Sequence, residues 1–300
     1  MVSAKTLGLV SVALILLAGG CSRGNKGGGG KDGKRQVLQN KGSDTLVNVA
    51  QAWAEAYKEV NPNLAVAVTG GGSGTGISAL INGTVDIANA SRSIKDKEEA
   101  AAKEKGVTPK EVTVGYDALA VFVHKDNPLG EMSIAQLAKI YGEGGDVEKW
   151  SQLDVKVPGC DSDEIIRVSR QNNSGTYVYF KEAVLGKGNE YKLGSRDMHG
   201  SKDVVDLVAK TPCAIGYSGL AYANDEVKMP CVSKGEGKCV APTVETAIDR
   251  SYPIARPLFM YTNGEPTGTT KEYLDWILSD AGQCIIQKKG YAPVKAVTCS

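Results

Sequence analysis

The sequence is poor in the residues that most often carry chemistry. Three hundred residues include two histidines, His124 and His199, and neither falls in a glycine-rich or hydroxyl-rich corner. No C-x-x-C pair occurs, so the usual zinc frameworks are excluded and neither a metal nor a cofactor is expected. No G-K-S or G-K-T is present to form a Walker phosphate loop, and the one G-x-S-x-G, from Gly20 to Gly24, spans the junction of leader and tether and not a strand-to-helix elbow that would present a serine nucleophile. An excess of positive charge is missing too. Of 35 basic and 34 acidic side chains, six basic and one acidic precede Gln36, leaving 29 against 33. A balance near −4 is the wrong sign for a nucleic-acid binder. No repeat at a solenoid period is seen.

What is present starts with a leader. Lys5 is followed by "LGLVSVALILLAGG", an apolar run too short to span a bilayer comfortably, so residues 1–20 read as a secretory signal peptide. "LLAGGC" resembles a bacterial lipoprotein signal, which makes Cys21 the lipid-bearing residue and a membrane anchor. Ala18 departs from that signal, which usually has Leu there, and the alternative is an ordinary secreted chain with a stray Cys21. From Ser22 to Arg35, "SRGNKGGGGKDGKR" has nothing apolar to bury and reads as a flexible tether, so residues 21–35 link anchor to domain. Six cysteines remain, an even number suited to an oxidising compartment. The most local of the fifteen pairings joins Cys231 to Cys239 and Cys284 to Cys299, leaving Cys160 with Cys213.

From Gln36 onward, strand, polar turn and helix alternate, the pattern of an α/β fold. "QVLQNKGSDT" is a strand and turn, and "TLVNVAQAWAEAYKEVNP" carries apolar residues at helical spacing up to Pro62. "LAVAVTG" and "VDIANAS" are further strands, "ISALIN" a short helix, and "IKDKEEAAAKEKG" a solvated helix. "VGYDALAVFVHKDNP" is a buried strand, and a second α/β unit runs from about 118 to 253. "YPIARPLFMYTN" returns as a strand, and "TKEYLDWILSDAGQCIIQ" reads as one amphipathic helix.

Such sheets bind ligands at the carboxyl ends of their strands. The turns "GSDT", "TGGGSGTG" and "NASRS" all occupy that position. "RQNNSGT" is sharper: Arg170 ends an apolar strand, and Ser174, Gly175 and Thr176 open a helix. A guanidinium fork with backbone N–H groups and hydroxyls suits a tetrahedral oxyanion. Arg92 offers a second guanidinium, with a surface salt bridge as its alternative use.

The ordered set "GSDTLVNVAQAWAEAY", "VTGGGSGTGISALINGTVDIANASRSI", "GYDALAVFVHKDNP", "RVSRQNNSGTYVYF" and "IGYSGLAY" resembles the phosphate-binding component of bacterial phosphate ABC transporters. The resemblance spans about Gly42 to Pro293. It implies a class II periplasmic-binding-protein fold, two lobes each with a mixed sheet flanked by helices, joined by two crossing strands. Lobe 1 would be residues 36–117 plus 254–300, and lobe 2 residues 118–253. The matching ligand positions are Ser43 and Thr45, then Ser73, Gly74 and Thr75, then Ser91 and Arg92, with Arg170, Asn172, Ser174, Gly175 and Thr176 from the second lobe. The implied protein is a monomeric, non-enzymatic receptor in the periplasm or on the cell surface. It would deliver inorganic phosphate to an ABC permease in the inner membrane. Sulfate, molybdate or tungstate are alternative ligands, and a secreted phosphohydrolase is a more distant one.

The chain departs from that pattern at two acids. Some family members carry Asp where this chain has Arg92 or Asn172. A protonated phosphate needs an acceptor as well as donors, so the carboxylate must come from elsewhere: Asp44 first, Asp117 second.

Overall fold

Alternation sets the first strand. Within Gln36–Gly42 (β1), Leu38, Asn40 and Gly42 are buried while Gln36, Val37 and Gln39 are exposed. A single 3₁₀ turn, Asp44–Leu46, leads into Val47–Val60 (α1), which buries Val49, Ala50, Trp53 and Tyr57 along one face. The computed structural model describes residues 35–235 and 237–299. The expected signal peptide, Cys21 and the tether up to Lys34 lie outside the described residues.

The remaining first-half elements are Leu64–Thr69 (β2), Ser73–Ile81 (α2), Ile87–Ala90 (β3), Asp96–Glu104 (α3) and Pro109–His124 (β4). Next come Glu131–Ser133 (β5), Ile134–Tyr141 (α4), Ile166–Arg170 (β6), Gly175–Phe180 (α5), Arg196–Met198 (β7), Ser201–Ala209 (α6) and Ala214–Gly219 (β8). Val227–Lys228 (β9), Cys231–Ser233 (β10), Val244–Ile248 (α7), Ala255–Asn263 (β11), Gly268–Leu278 (α8) and Asp280–Lys288 (α9) complete the chain.

Strands pair in the order β2-β1-β3-β11-β4-β8-β6-β7. β1 runs parallel to β2 and β3, and β6 parallel to β7 and β8. The sixteen-residue β4 holds the two halves together: it pairs antiparallel with β11 through Ala118 and with β8 from Leu119 to Val123. β4 and β11 are the crossing strands of a mixed α/β, class II periplasmic-binding-protein fold. Apolar cores follow the same division. The buried members of those around Trp53 and Ile77 come from residues up to Val114 and from Leu258 on, with the half-buried Ala221 packed against them. Those around Trp150 and Val204 draw on residues 118–254, with Ala292 added from the tail.

The three disulfides are Cys160–Cys213, Cys231–Cys239 and Cys284–Cys299, the most local pairing. The single helix expected over "TKEYLDWILSDAGQCIIQ" is instead two, broken at Ser279, whose ψ of 168° is extended. The reason is a close approach. A Cβ on Gly282 would lie 2.3 Å from the Ile277 carbonyl oxygen, and the Gly282 carbonyl accepts a 2.7 Å bond from Trp53 Nε1.

Aromatic packing fixes the second-half corner. Phe180, at the end of α5, stacks on Tyr217 of β8 at 3.7 Å, and Tyr141 meets both edge-on. Each such pair adds about 0.5–1.5 kcal/mol beyond area burial. The Tyr217 hydroxyl in turn bonds Ser169 Oγ at 2.6 Å, one residue before Arg170.

Candidate functional site

Three corners at the carboxyl ends of β1, β2 and β3 fold onto one another. Gly42 makes this contact possible: its φ is +147°, and a Cβ there would sit 2.1 Å from the Asn89 carbonyl oxygen. The Ser43 amide donates to that oxygen at 2.9 Å, and the Gly72 amide donates to Gly42 at 2.9 Å. Ser43 Oγ then donates to Ser91 Oγ at 2.9 Å, while the Ser91 amide donates to Ser73 Oγ at 3.1 Å.

The corner after β6 packs against this group. Ser174 caps α5 and accepts from the Thr176 amide at 3.1 Å. A Cβ on Gly175 would meet Ser73 Oγ at 2.3 Å and Ser91 Oγ at 2.5 Å, so glycine permits the approach. Asn173 ties the two Ser-Gly-Thr corners directly. Its carbonyl accepts from the Gly74 amide at 3.0 Å, and its side chain donates to the Gly71 carbonyl at 3.0 Å and to Thr75 Oγ1 at 3.3 Å. Thr45 Oγ1 and Thr176 Oγ1 lie 3.0 Å apart. Ser43, Thr45, Ser73, Ser91, Ser174 and Thr176 are each at most 2% exposed. Ser43, Ser91 and Ser73 are linked hydroxyl to hydroxyl, Thr45 and Thr176 form a second pair, and Ser174 holds the Thr176 amide, a buried polar arrangement that costs stability unless each group has partners.

Charge enters from Arg256, which the sequence did not single out, paired with Asp117, which it did. Arg256 on β11 is in register with Asp117 on β4, and both side chains are fully buried. Its Nε and Nη2 donate to Asp117 Oδ2 at 3.1 and 2.7 Å, Nη1 to the Ser91 carbonyl at 3.2 Å, and Nη2 also to Thr45 Oγ1 and Thr176 Oγ1 at 3.2 and 3.1 Å. A threonine hydroxyl that accepts from a guanidinium keeps its own proton for another acceptor, so Arg256 turns both threonines into donors. Burial raises the Asp117 carboxyl above its ordinary value, and Arg256 beside it pulls the other way. Asp117 Oδ1 is buried with no hydrogen-bond partner.

Arg170 is buried as well. Nη1 donates to Ser201 Oγ at 2.9 Å, and Nη2 donates to the His199 carbonyl at 2.7 Å and to Asp44 Oδ2 at 3.1 Å. Its Nε is buried and unpartnered. Burial lowers the guanidinium pKa and Asp44 restores part of it. Asp44 is doubly engaged, since Oδ1 accepts from the Gly71 amide at 2.9 Å. Tyr222 adds a 2.6 Å bond to the Asp44 carbonyl.

Two expected residues stand apart from this cluster. Arg92 forks onto Glu98, with both bonds at 2.7 Å, and also donates to the Ser93 carbonyl. Glu98 sits in the first turn of α3, where it also accepts from the Lys95 amide, so in this structure Arg256, and not Arg92, is the guanidinium bonded to the buried threonines. Asn172 is exposed and lines the outer surface. The signal for Arg256 was a lone charge inside the apolar strand "ARPLFMYTN"; for Ser201 and Tyr222 there was none.

A sequence profile described as the PBP superfamily domain matches residues 27–281. The phosphate-binding protein PstS of Pseudomonas aeruginosa is 36% identical over 86% of this chain and 83% of its own length. The PstS of Staphylococcus saprophyticus is 31% identical over 96% and 91%. Among solved structures, a putative phosphate ABC transporter substrate-binding protein from Clostridium perfringens, with bound phosphate, superposes with a TM-score of 0.77 at 32% identity, covering 87% of this chain and all of that one. The chain therefore belongs to the PBP superfamily, in the family of the PstS phosphate-binding proteins.

Proposed function

We propose that this chain is a receptor for inorganic phosphate, held between its lobes and handed to an ABC permease. It binds and does not catalyse. Lobe 1 comprises residues 36–117 plus 254–300 and lobe 2 residues 118–253, a division supported by the partition of the apolar cores. The observation that carries the reading is the meeting of six buried hydroxyls from both lobes around Arg256, with Arg170 on the flank. Donors in this reading are Ser43, Thr45, Ser73, Ser91, Ser174 and Thr176, the Gly175 amide and the two guanidinium groups, while the Gly74 and Thr75 amides donate to the Asn173 and Gly72 carbonyls. Asp117 is the acceptor for the phosphate proton in this reading, because Asp44 already spends both oxygens on Gly71 and Arg170. A buried carboxylate also rejects a fully ionised anion such as sulfate. The chain acts as a monomer outside the cytoplasm, tethered through lipidated Cys21.

Calorimetric titration of the purified, ligand-stripped protein tests this. Phosphate is expected to bind tightly and sulfate to give no heat of binding. Equal affinity for sulfate would remove Asp117 as a discriminating acceptor, and silence from both anions would reduce the corners to structural turns.

Gly175→Ala offers a sharper local test. The added methyl overlaps Ser73 Oγ and Ser91 Oγ only while the two lobes are in contact, and such overpacking costs about 1–3 kcal/mol. Phosphate affinity is expected to fall by about tenfold or more, and a wild-type dissociation constant would mean that the corners separate when the anion is bound.

A further inference from the structure

The chain beyond the tether is net acidic, yet the seam between its two Ser-Gly-Thr corners opens into a basic groove of about 550 Å³. Gly74 and Asn173, which bond to each other across the two corners, line it together with Arg92 and Asn172. Five basic side chains and three acidic ones line it. Two of the positive charges are already matched: Arg92 by Glu98 and Lys181 by Glu190 at 2.5 Å. Lys95, Lys97 and Lys187 form no ion pair with any described carboxylate, and of the lining acids only Glu182 is left to offset them. An adjoining hollow of about 510 Å³ repeats the same three lysines and Glu182, adding Asp96.

The placement is informative. Lys95 and Lys97 stand at the start of α3, on the Ser91 side of the seam, and Lys187 follows α5 on the Gly175 side. Lys95 is half-buried, and burial first, then the neighbouring Arg92 and Lys97 charges, lower its pKa, with Glu98 and Glu182 offsetting part of that. Positive fields in a concave, low-dielectric wall concentrate anions and raise association rates by about 10 to 10³.

We propose that this groove is an outer anion site, where Lys95, Lys97 and Lys187 receive free inorganic phosphate and pass it to the buried cluster. The inference rests on the phosphate reading above. These lysines set how fast the anion arrives. They make no contact with it once it is bound.

The test compares the wild-type protein with Lys95→Gln/Lys97→Gln/Lys187→Gln. Equilibrium dialysis of radiolabelled phosphate gives the dissociation constant, an isotope chase gives the off-rate, and their ratio gives the on-rate. The on-rate is expected to fall roughly tenfold at low ionic strength, and the difference to vanish near ~0.5 M salt, where screening shortens the field to a few ångströms. The off-rate should not change. A control, Lys110→Gln/Lys202→Gln/Lys271→Gln, removes the same charge from lysines paired elsewhere and is expected to leave the on-rate near wild type. An unchanged on-rate in the groove variant overturns the proposal. So does a faster off-rate, which would make the lysines ligands, or an equal effect in the control, which would reduce the result to net charge. Failure of the wild-type protein to bind phosphate at all would instead overturn the receptor reading itself, and this inference with it.

Discussion

Arg256→Met is expected to unfold the protein at a temperature about 10 °C below wild type and to abolish measurable phosphate binding. The substitution leaves Asp117 buried without its guanidinium, and Asp117 Oδ1 already lacks a partner. Breaking a fully buried ion pair on one side costs about 3–5 kcal/mol, and each kcal/mol is worth about 2–4 °C for a chain of this size. Stability and binding must then be separated. Arg256→Met/Asp117→Asn removes both charges with little change of shape, and such paired replacements are often close to neutral in stability. Thermal unfolding of the double variant is expected to return most of the way to wild type. Binding is not expected to return, because Thr45 and Thr176 no longer accept from Nη2 and are free to satisfy each other in place of the anion. A double variant that binds phosphate with wild-type affinity would refute the role given to Arg256 here. A single variant as stable as wild type would show that the pair does not hold the crossing strands together.

The contrast between Arg92 and Arg256 explains what the sequence could and could not disclose. Strand–turn–helix order and the hydroxyl-rich corners were legible because each is local: alternation, helical spacing and turn residues act within about ten positions, whereas the crossing strands came only with the family resemblance. The cysteine pairs were legible for the same reason, two of them closing loops of 8 and 15 residues. Arg92 was a natural candidate because it lies beside Ser91, but a capping acid six residues on, Glu98, takes both its arms. Arg256 lies 165 positions from Ser91, and only the β4–β11 register brings it back. Asp44 shows the same competition. Its place inside "GSDT" suggested a ligand, whereas its two oxygens bind Gly71 on one side and Arg170 on the other. Long-range partners compete for the charges that short motifs display, and sequence distance hides that competition. The break between α8 and α9 has the same origin, since the apolar pattern continues through it while Trp53, more than two hundred positions away, claims the Gly282 carbonyl.

Arg170→Ala is the second large effect. Arg170 connects the lobes through Asp44 and is anchored on its own side by Ser201 and the His199 carbonyl, so its loss removes a charged donor and the guanidinium link to Asp44 in the first corner, leaving that of Arg256 to Thr45. Truncating one member of a buried, hydrogen-bonded charge pair costs about 2–5 kcal/mol, which corresponds to roughly 30-fold to several-thousand-fold weaker phosphate binding. Asp44 is 12% exposed at its side chain and keeps the Gly71 amide, so solvent relieves part of its lost partnership. The fold is therefore expected to lose less stability than in Arg256→Met. Arg170→Lys separates charge from geometry. An ammonium keeps the positive charge but cannot serve Ser201, His199 and Asp44 in one plane, and its affinity is expected to fall between alanine and wild type. Calorimetry on the three proteins decides the matter. Lysine equal to wild type would make Arg170 a simple point charge, while alanine equal to wild type would remove it from the site and leave Arg256 as the guanidinium that faces the anion.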